Sequence, residues 1–391
     1  MLRFITAGES HGPELTVILE GMPAGLPLQS EDIGTDLARR QKSAGSGARM
    51  TIEKDRARIT AGAMGGLTTG APICLVIENR DFQSWREKQI PPMTVPRPGH
   101  VDLNAAIKYG YPDLRIGLER ASARETAARV AAGAVCKKLL EAFDIFVGSY
   151  VISIGKIVLQ VQNSEHEQLF RSAESNVVRC PDAETAELMI QEIEKAASEG
   201  DTLGGIFQCF ALRVPPGLGS HVHWERRLSA RLLFAVGSVP AVKGVEIGNA
   251  FENAGSLGTD VHDEIIVDSS GKQLARKTNR SGGIEGGITT GEPILVRGAM
   301  KPISTTLKGL NSVDLASGKP ARTVYERSDV CAVPRAAVVG EAMMAFVLAE
   351  ALLEKLGGDS IEEMKPRFKD LRSGQLDRLV MNNTHWNFGY E

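Results

Sequence analysis

A glycine-rich segment of nine residues occurs twice in this chain and restricts the folds that the chain can adopt. Residues 65–73 read GGLTTGAPI, and residues 286–294 read GGITTGEPI. Each copy runs into a β-like segment, so the pair predicts matching halves whose loops enter equivalent positions at a common cleft. Chance similarity between glycine-rich turns is the alternative. No proline- or serine-rich linker separates the copies, which favours a single large α+β domain over residues 1–391 with pseudo-symmetric halves.

Charge and cysteine content exclude several classes of partner. The formal net charge is -3, so the chain lacks the basic excess that drives binding to DNA or RNA. The 5 cysteines are scattered, without C-x-x-C spacing, which predicts buried thiols in a reducing compartment. No apolar signal segment opens the sequence, and no uninterrupted apolar run approaches about 18 residues, so we expect a cytoplasmic protein outside the membrane.

Metal, nucleophile and phosphate-loop motifs are weak or missing. His221 and His223 could share one face of a strand, but no third ligand follows at an informative spacing. We therefore expect solvent-facing histidines and no metal site. The sequence contains no H-E-x-x-H and no G-x-x-x-x-G-K-[ST] motif, and the repeated segment lacks the lysine of a phosphate loop.

Hydrophobic periodicity predicts a mixture of helices and strands. A short helix that Ser30 can cap places Arg39 and Arg40 in its last turn. The remaining predicted helices cover residues 122–143, 182–199 and 335–356, and the predicted strands cover residues 15–19, 73–77, 146–161, 205–214 and 264–267.

The first candidate site is His11, which lies between glycines just after a short apolar strand. Glycines allow backbone and ligand to approach closely, and histidine transfers protons readily near neutral pH. A structural histidine is the alternative.

The second candidate site is a proline-stiffened loop, residues 96–102, which holds Arg97 close to His100. An arginine fork binds phosphate or carboxylate, and the neighbouring histidine could protonate the same ligand. A structural turn is the alternative.

The third candidate site surrounds Ser122, which has Glu125 at the spacing of a capping box. Arg120 and Arg124 flank this predicted helix start, where unpaired N–H groups favour an anion and a cation is disfavoured. The alternative, a capped helix with solvated arginines, explains Ser122 and Glu125. It does not explain why two arginines stand at the helix end where positive charge is disfavoured. We expect Arg124→Ala to leave the ligand-free protein as stable as before or slightly more stable, and to raise the KM of the substrate sharply.

Further cations occur near the C-terminal repeat, together with hydroxyl groups and Asp329. They are Arg322, Arg327 and the segment of residues 301–305, and Arg39, Arg40 and Arg49 add to them. This surplus of arginine predicts a multiply anionic substrate.

Taken together, these motifs resemble the chorismate synthase family. The resemblance rests on residues 8–12 (GESHG), 97–100 (RPGH), 120–126 (RASARET) and 327–329 (RSD), and it extends from Phe4 to about Met344. It implies a β-α-β sandwich that forms homotetramers. It also implies a carbon–oxygen lyase of the shikimate pathway, which supplies aromatic amino acid biosynthesis. Such enzymes convert 5-enolpyruvylshikimate 3-phosphate to chorismate by anti-1,4-elimination of phosphate, with reduced FMN that is not consumed overall.

The same resemblance assigns roles to residues. It implies that His11 protonates the departing phosphate, that His100 protonates the reduced flavin and that Asp329 manages the proton at flavin N5. The implied substrate-binding residues are Ser10, Arg49, Arg97, Arg124 and Arg327, with Arg40 in the same anion clamp. The implied cofactor-binding residues are Arg40, Ser46, Arg120, Ala121, Ser122, Pro240, Ala241, Gly286, Lys301, Pro302, Ile303, Ser304, Thr305 and Arg327.

Two positions depart from the family pattern. Ser46 stands where the family often has an arginine, so we expect NADPH only as an indirect reductant, with a separate flavin reductase as a candidate partner. Pro240 precedes Ala241 where many members have asparagine, so any flavin contact there must come from its carbonyl or its ring.

Two other functions are open from sequence. A flavin oxidoreductase that uses NADPH is disfavoured by Ser46 and by the missing G-x-G-x-x-G fingerprint. A flavin-binding protein without activity is disfavoured because His11, His100 and Asp329 are all present.

Overall fold

The computed structural model describes residues 1–45, 54–160, 165–324, 329–379 and 381–389. The strands are β1 Arg3–Ala7, β2 Glu14–Glu20, β3 Ala57–Ala61, β4 Ala63–Met64, β5 Leu67–Thr68, β6 Ile73–Glu78, β7 Phe146–Ile154, β8 Ile157–Val158, β9 Gly205–Leu212, β10 Val242–Ile247, β11 Ile265–Val267, β12 Leu274–Arg276, β13 Ile284–Glu285, β14 Ile288–Thr289, β15 Ile294–Met300, β16 Asn311–Asp314 and β17 Lys319–Arg322. The helices are α1 Ser30–Gln41, α2 Phe82–Trp85, α3 Asp102–Tyr109, α4 Arg115–Ala121, α5 Thr126–Glu141, α6 His166–Glu174, α7 Ala183–Ser198, α8 Leu228–Gly237, α9 Ala250–Ala254, α10 Gly258–Val261, α11 Val333–Leu356 and α12 Ile361–Lys369.

The two larger sheets have the same strand order. The first sheet runs β1-β2-β6-β3, and the second runs β7-β9-β15-β10 with β8 added at one edge. In each sheet an inner strand leads through a turn to a helix, then to an edge strand, a small hairpin and a return strand beside the first. The elements are β2, α1, β3, β4–β5 and β6 in one half, and β9, α8, β10, β13–β14 and β15 in the other. The second half therefore repeats the topology of the first.

A buried threonine fixes the first hairpin to the turn that follows β2. The Thr68 hydroxyl donates to the carbonyl of Pro23 at 2.6 Å and accepts from the backbone N–H of Leu26 at 2.9 Å. Both bonds are made inside the protein, where a lone hydroxyl would be costly.

The second hairpin has the same connection. The Thr289 hydroxyl donates to the carbonyl of Pro215 at 2.7 Å and accepts from the N–H of Leu218 at 2.9 Å. Chance similarity is therefore the wrong explanation of the repeat. The sequence signal was longer than the one we used, because residues 23–26 (PAGL) and 215–218 (PPGL) also match.

Helices α1, α5, α8 and α11 form a middle layer. Helices α1 and α5 pack on the first sheet, α8 and α11 pack on the second, and α5 packs against α11. At that crossing a Cβ on Gly133 would lie 2.3 Å from the Cβ of Ala342, so only glycine allows the approach. The predicted α+β class and β-α-β sandwich are confirmed.

An ion network ties this middle layer together. The carboxylate of Glu341, on α11, accepts hydrogen bonds at 2.7 Å from Arg39 on α1, from Lys137 on α5 and from Ser149 on β7. Burial alone would raise the pKa of Glu341, but the charges of Arg39 and Lys137 hold it well below its usual range. Helices α1, α5 and α11 and strand β7 thus meet around one charged group.

Helix α11 is apolar and long enough, by length and composition, to cross a membrane. However, 83% of its most apolar 18-residue window is buried. It is therefore the central helix of the sandwich. Four of the cysteines are buried as well and all five are free, which confirms the prediction of thiols without disulfides.

The predicted start of helix α1 was wrong by one residue. Gln29, rather than Ser30, is the N-cap, and its backbone N–H donates to the Asp32 carboxylate at 2.8 Å. The strand predicted over residues 146–161 is also interrupted, because a turn with Gly155 at a φ of 54° separates β7 from β8.

The prediction that Ser122 and Glu125 form a capping box at the start of a helix was also wrong. Helix α4 ends at Ala121, Ser122 caps a 3₁₀ turn over Ala123–Glu125, and α5 begins only at Thr126. The Glu125 carboxylate does not reach back to Ser122, because it accepts from Thr6 and Arg129.

Candidate active site

His11 lies in the glycine-flanked loop after β1, and helix α4 supplies its partner. Its Nδ1 is 2.7 Å from Glu119 Oε1, and its backbone N–H donates to Glu119 Oε2 at 2.8 Å. Its ring centre is 4.0 Å from that of Trp85. Burial alone would raise the pKa of Glu119, but hydrogen bonds from His11 lower it. An ionised carboxylate only accepts, so His11 Nδ1 carries a proton.

Ser10 connects the first motif to the third. Its hydroxyl donates to Ser122 Oγ at 3.0 Å, and its backbone N–H donates to the Glu119 carbonyl at 3.1 Å. The Ser122 hydroxyl also accepts from the backbone N–H of Arg124 at 3.3 Å. Four predicted site residues, Ser10, His11, Ser122 and Arg124, therefore lie in one network.

Arg124 is buried and paired. Its Nη1 lies 2.5 Å from Asp55 Oδ1, with 6% and 0% of the two side chains exposed. Its Nε donates to Asn79 Oδ1 at 2.6 Å, and its Nη2 donates to the Glu78 carbonyl at 3.3 Å. The expectation of no stabilising role in the ligand-free protein was therefore wrong, because this guanidinium compensates a buried carboxylate.

Arg40 lies on the other side of Asp55. It donates to Thr126 Oγ1 at 3.0 Å and to the Ala123 carbonyl at 2.8 Å, and its Nη1 is 3.5 Å from Asp55 Oδ2. Burial lowers the pKa of Arg40 to about 10, while Asp55 opposes this shift. Arg40 therefore stays cationic at neutral pH and fixes the start of α5.

Asp329 belongs to the same end of the helix layer. Its Oδ2 is 2.6 Å from Nη1 of Arg335, in the first turns of α11, and the charges of both residues act on Arg40. The starts of α5 and α11 thus meet at Arg40.

A second network surrounds His100. The carboxylate of Asp102, the first residue of α3, accepts from Arg97 Nε at 2.8 Å and from Arg97 Nη2 at 3.0 Å. It also forms a short contact with His100 Nδ1. Burial alone would raise the pKa of Asp102, but His100 and Arg97 hold it well below its usual range. Arg97 Nη2 and His100 Nδ1 are 3.0 Å apart because both donate to one oxygen.

The segment of residues 301–305 closes over this loop. Arg97 Nη1 donates to Thr305 Oγ1 at 3.0 Å. The Ser304 hydroxyl donates to the Gly99 carbonyl at 2.8 Å and accepts from Lys301 Nζ at 3.0 Å. The backbone N–H of Lys301 donates to the Ala241 carbonyl at 3.0 Å. Pro302 and Ile303 continue the same segment, where the Ile303 carbonyl accepts from Thr202.

A cleft of about 650 Å³ opens beside the first network. Arg120, Ala121, Ser122 and Pro240 line it, all of them predicted cofactor contacts. Its apolar wall consists of Phe4, Phe234, Met343 and Phe346. Arg120 is anchored at the rim by bonds to Thr6 and the Gly8 carbonyl. Because Ala241 follows Pro240 and bonds to Lys301, the cleft adjoins the second network.

Some predicted residues are not placed in this arrangement. Gly286 is exposed at the tip of the β13–β14 hairpin, and a Cβ there would have no atom within 4 Å among the described residues. Ser46, Arg49 and Arg327 lie outside the described residues. His221 and His223 are exposed, which confirms that they face solvent.

Four polar residues of the networks were missed from sequence. Glu119 and Asp102 stand inside or beside the motifs that we had singled out, so acidic residues next to candidate histidines were a usable signal. Asp55 and Asn79 lie outside every motif, and the run EKDRAR of residues 53–58 reads as a solvated surface.

The fold and these networks define an enzyme with histidines and arginines arranged for a small anionic ligand. The model of the chorismate synthase family matches residues 2–353. A chorismate synthase of Aquifex aeolicus is 53% identical, over 94% of this chain and 97% of the relative. One of Brevibacillus brevis is 49% identical, over 95% and 99%. A crystal structure of chorismate synthase superposes with a TM-score of 0.78 at 46% identity, over 94% of this chain and 96% of that chain.

This chain belongs to the chorismate synthase family. It is a lyase that forms chorismate in the shikimate pathway.

Proposed function

We propose that this lyase eliminates phosphate and a ring hydrogen from 5-enolpyruvylshikimate 3-phosphate in the anti-1,4 sense, with reduced FMN as a cofactor that is not consumed. The observation that carries the proposal is the pairing of His11 and His100 with ionised carboxylates next to buried arginines. Each carboxylate orients its imidazole through Nδ1 and leaves Nε2 as the ring nitrogen that can exchange a proton with a leaving oxygen.

The cations account for the charge of the substrate, which carries two carboxylates and a phosphate. Arg40, Arg97 and Arg124 are buried at the two networks, and Arg49 and Arg327 are proposed to join them from outside the described residues. Ser10 is proposed as a further contact. A guanidinium binds carboxylate or phosphate through two parallel hydrogen bonds, so these side chains suit such a ligand.

The cleft beside Ser122 fits a flavin. A planar apolar ring requires an apolar wall, which Phe4, Phe346 and Met343 supply, and a phosphate requires cations such as Arg120 in the cleft. Lys301 lies next to the cleft, since its backbone N–H donates to the Ala241 carbonyl. We propose that the cleft, Ala241 and residues 301–305 hold FMN, with Arg40, Ser46, Gly286 and Arg327 as further contacts. When bound, reduced FMN would supply transient electron donation that weakens the allylic C–O bond.

Three residues move or hold protons in this proposal. His11 donates from Nε2 to the departing phosphate, since Glu119 occupies its Nδ1. His100, held likewise by Asp102, would supply a proton to the reduced cofactor when it is bound. Asp329, which Arg335 keeps in place, would manage the proton at flavin N5.

The domain organisation, the oligomeric state and the cellular location are part of the same proposal. We infer one catalytic domain over residues 1–391, a homotetramer and a cytoplasmic location. NADPH would act only through a separate flavin reductase.

An anaerobic assay with 5-enolpyruvylshikimate 3-phosphate and pre-reduced FMN tests the proposal. Release of phosphate with formation of chorismate supports the elimination, and consumption of NADPH without phosphate release would favour an oxidoreductase. If flavin binds but neither reaction occurs, the result would favour a flavin-binding protein without activity.

A further inference from the structure

The two histidines are held in the same way, although they lie on different parts of the chain. In each, Nδ1 contacts a carboxylate: Glu119 Oε1 for His11 and Asp102 Oδ1 for His100. The side chain of Asp102 is 0% exposed, and that of Glu119 is 16% exposed. Because both carboxylates are ionised, both Nδ1 atoms carry a proton. Nε2 is then the ring nitrogen left for proton transfer.

Both carboxylates come from one pair of short helices. Asp102 begins α3 and Glu119 stands in the last turn of α4. The two helices pack tightly, since a Cβ on Gly117 would lie 2.8 Å from the Cβ of Ala105. The separation of the two carboxylates is therefore set by one rigid contact.

We propose that Glu119 and Asp102 are the positioning residues of His11 and His100, and that the α3–α4 pair fixes both histidines relative to each other. The inference rests on the proposed function for the roles of the histidines, but not for their orientation. Loss of the α3–α4 contact should slow turnover more than it weakens substrate binding, because neither carboxylate contacts the ligand in this proposal and only Asp102 also holds a proposed substrate contact, Arg97.

Trp85 offers a measurement that needs no cofactor. Its ring contacts His11, so the imidazolium should quench its fluorescence more than the neutral ring does. The other tryptophans, Trp224 and Trp386, are 70% and 78% exposed and can be changed to phenylalanine to give a parent protein. Glu119 is the charged group in contact with His11, Arg115 on the same helix acts on Glu119, and Glu9 precedes His11 in the loop. On the side of Trp85, the indole N–H donates to Asp81 at 3.1 Å and Lys88 Nζ lies 4.7 Å from the ring centre.

The main variant is Glu119→Gln in this parent. Removing the anion takes away the charge that opposes loss of the imidazolium proton, so the midpoint of the fluorescence titration should move to lower pH. The kcat should fall at least about 10-fold while KM changes less than about two-fold. Glu119→Asp keeps the charge and should restore the midpoint at least partly. An unchanged midpoint in Glu119→Gln would overturn the assignment.

Gly117→Ala tests the helix pair without altering any charge. The added methyl group must displace α3 from α4, so kcat should fall at least about 10-fold, and KM should rise by a smaller factor because Asp102 on α3 also holds Arg97. Gly34→Ala is the matched control, since a Cβ there meets nothing within 4 Å among the described residues; it should retain parental kcat. A folded Gly117→Ala variant with parental kcat would overturn the role of the pair.

The two proposals fail separately. If the parent forms no chorismate, the proposed function falls, while the fluorescence titration still measures the effect of Glu119 on His11. If the parent turns over normally and neither variant differs from it, the positioning inference falls and the function stands.

Discussion

Arg124 and Asp55 form an ion pair of 2.5 Å inside the protein, and Arg40 approaches the other oxygen of the same carboxylate at 3.5 Å. Asp55 thus holds two arginines in place before any ligand arrives. The same geometry makes the arginines necessary to Asp55, because an unpaired buried carboxylate is costly.

Arg124→Ala should therefore destabilise the ligand-free protein by about 3–5 kcal/mol, the usual loss when one partner of a buried pair is removed. Thermal and urea unfolding measure this change. The double variant Arg124→Ala/Asp55→Ala should recover part of the loss, since the orphaned charge is then gone. A melting temperature equal to or above the wild-type value would contradict the structural role.

Removal of the imidazole should separate chemistry from binding. We expect His11→Ala to bind FMN almost normally and to release phosphate about 100-fold more slowly or worse, as loss of a positioned proton donor requires. His221→Ala, at an exposed histidine, is the control and should be unchanged. Normal turnover of His11→Ala would remove His11 from the mechanism.

The protein alone should not reduce FMN with NADPH at a useful rate, because Ser46 stands where the family resemblance leads us to expect an arginine and the sequence has no dinucleotide fingerprint. Stopped-flow absorbance of the flavin measures this, with a purified flavin reductase added as the positive control. Bleaching at turnover speed without the reductase would refute it.

Thr68→Val and Thr289→Val should cost similar amounts of stability, about 1–3 kcal/mol each, because each leaves a buried carbonyl and a buried N–H without a partner. Urea unfolding compares them. Thr69→Val, at the exposed neighbouring residue, should cost much less. A loss in only one of the two buried variants would mean that the hairpins are not equivalent in energy.

The stability that Glu341 contributes should depend on pH. Its pKa is lower in the folded protein than the value of about 4.3 in an unfolded chain. Its contribution is therefore complete above about pH 4.3 and is lost as the pH falls below it. The deficit of Glu341→Gln relative to wild type should shrink by about 1 kcal/mol between pH 7 and about pH 3.5.

Urea unfolding at several pH values checks this, and Glu264→Gln, at an exposed ion pair, is the control. A deficit that stays constant over this range would show that Glu341 does not gain from its ionised state.

Local signals in the sequence predicted the fold well. The repeat indicated matching halves, and the periodic helices and most strands were found where predicted. Ser122 shows the limit of such signals. Its spacing to Glu125 satisfied a local rule, but Thr6, from a distant strand, competes for that carboxylate. Tertiary hydrogen bonds override a capping pattern whenever they satisfy the same group.

The site was predicted less completely. Motifs located the cations and histidines, because these types stand out beside glycine and proline. Their anionic partners were missed, since Asp55 meets Arg124 only after folding brings β3 and the start of α5 together. Sequence spacing carries no information about such long-range pairs. The buried carboxylates that pair with the arginines are therefore harder to predict than the arginines themselves.

The equivalence of the two halves has a chemical consequence. Two separate copies of one such unit, related by an exact two-fold axis, would carry the same residue before both central helices. Here one chain contains both units, with Arg124 ahead of α5 and Asp329 ahead of α11. Covalent linkage thus lets the two halves of a pseudo-symmetric scaffold carry residues of opposite charge ahead of their equivalent helices, so the region between these helix starts is polar in one direction rather than two-fold symmetric.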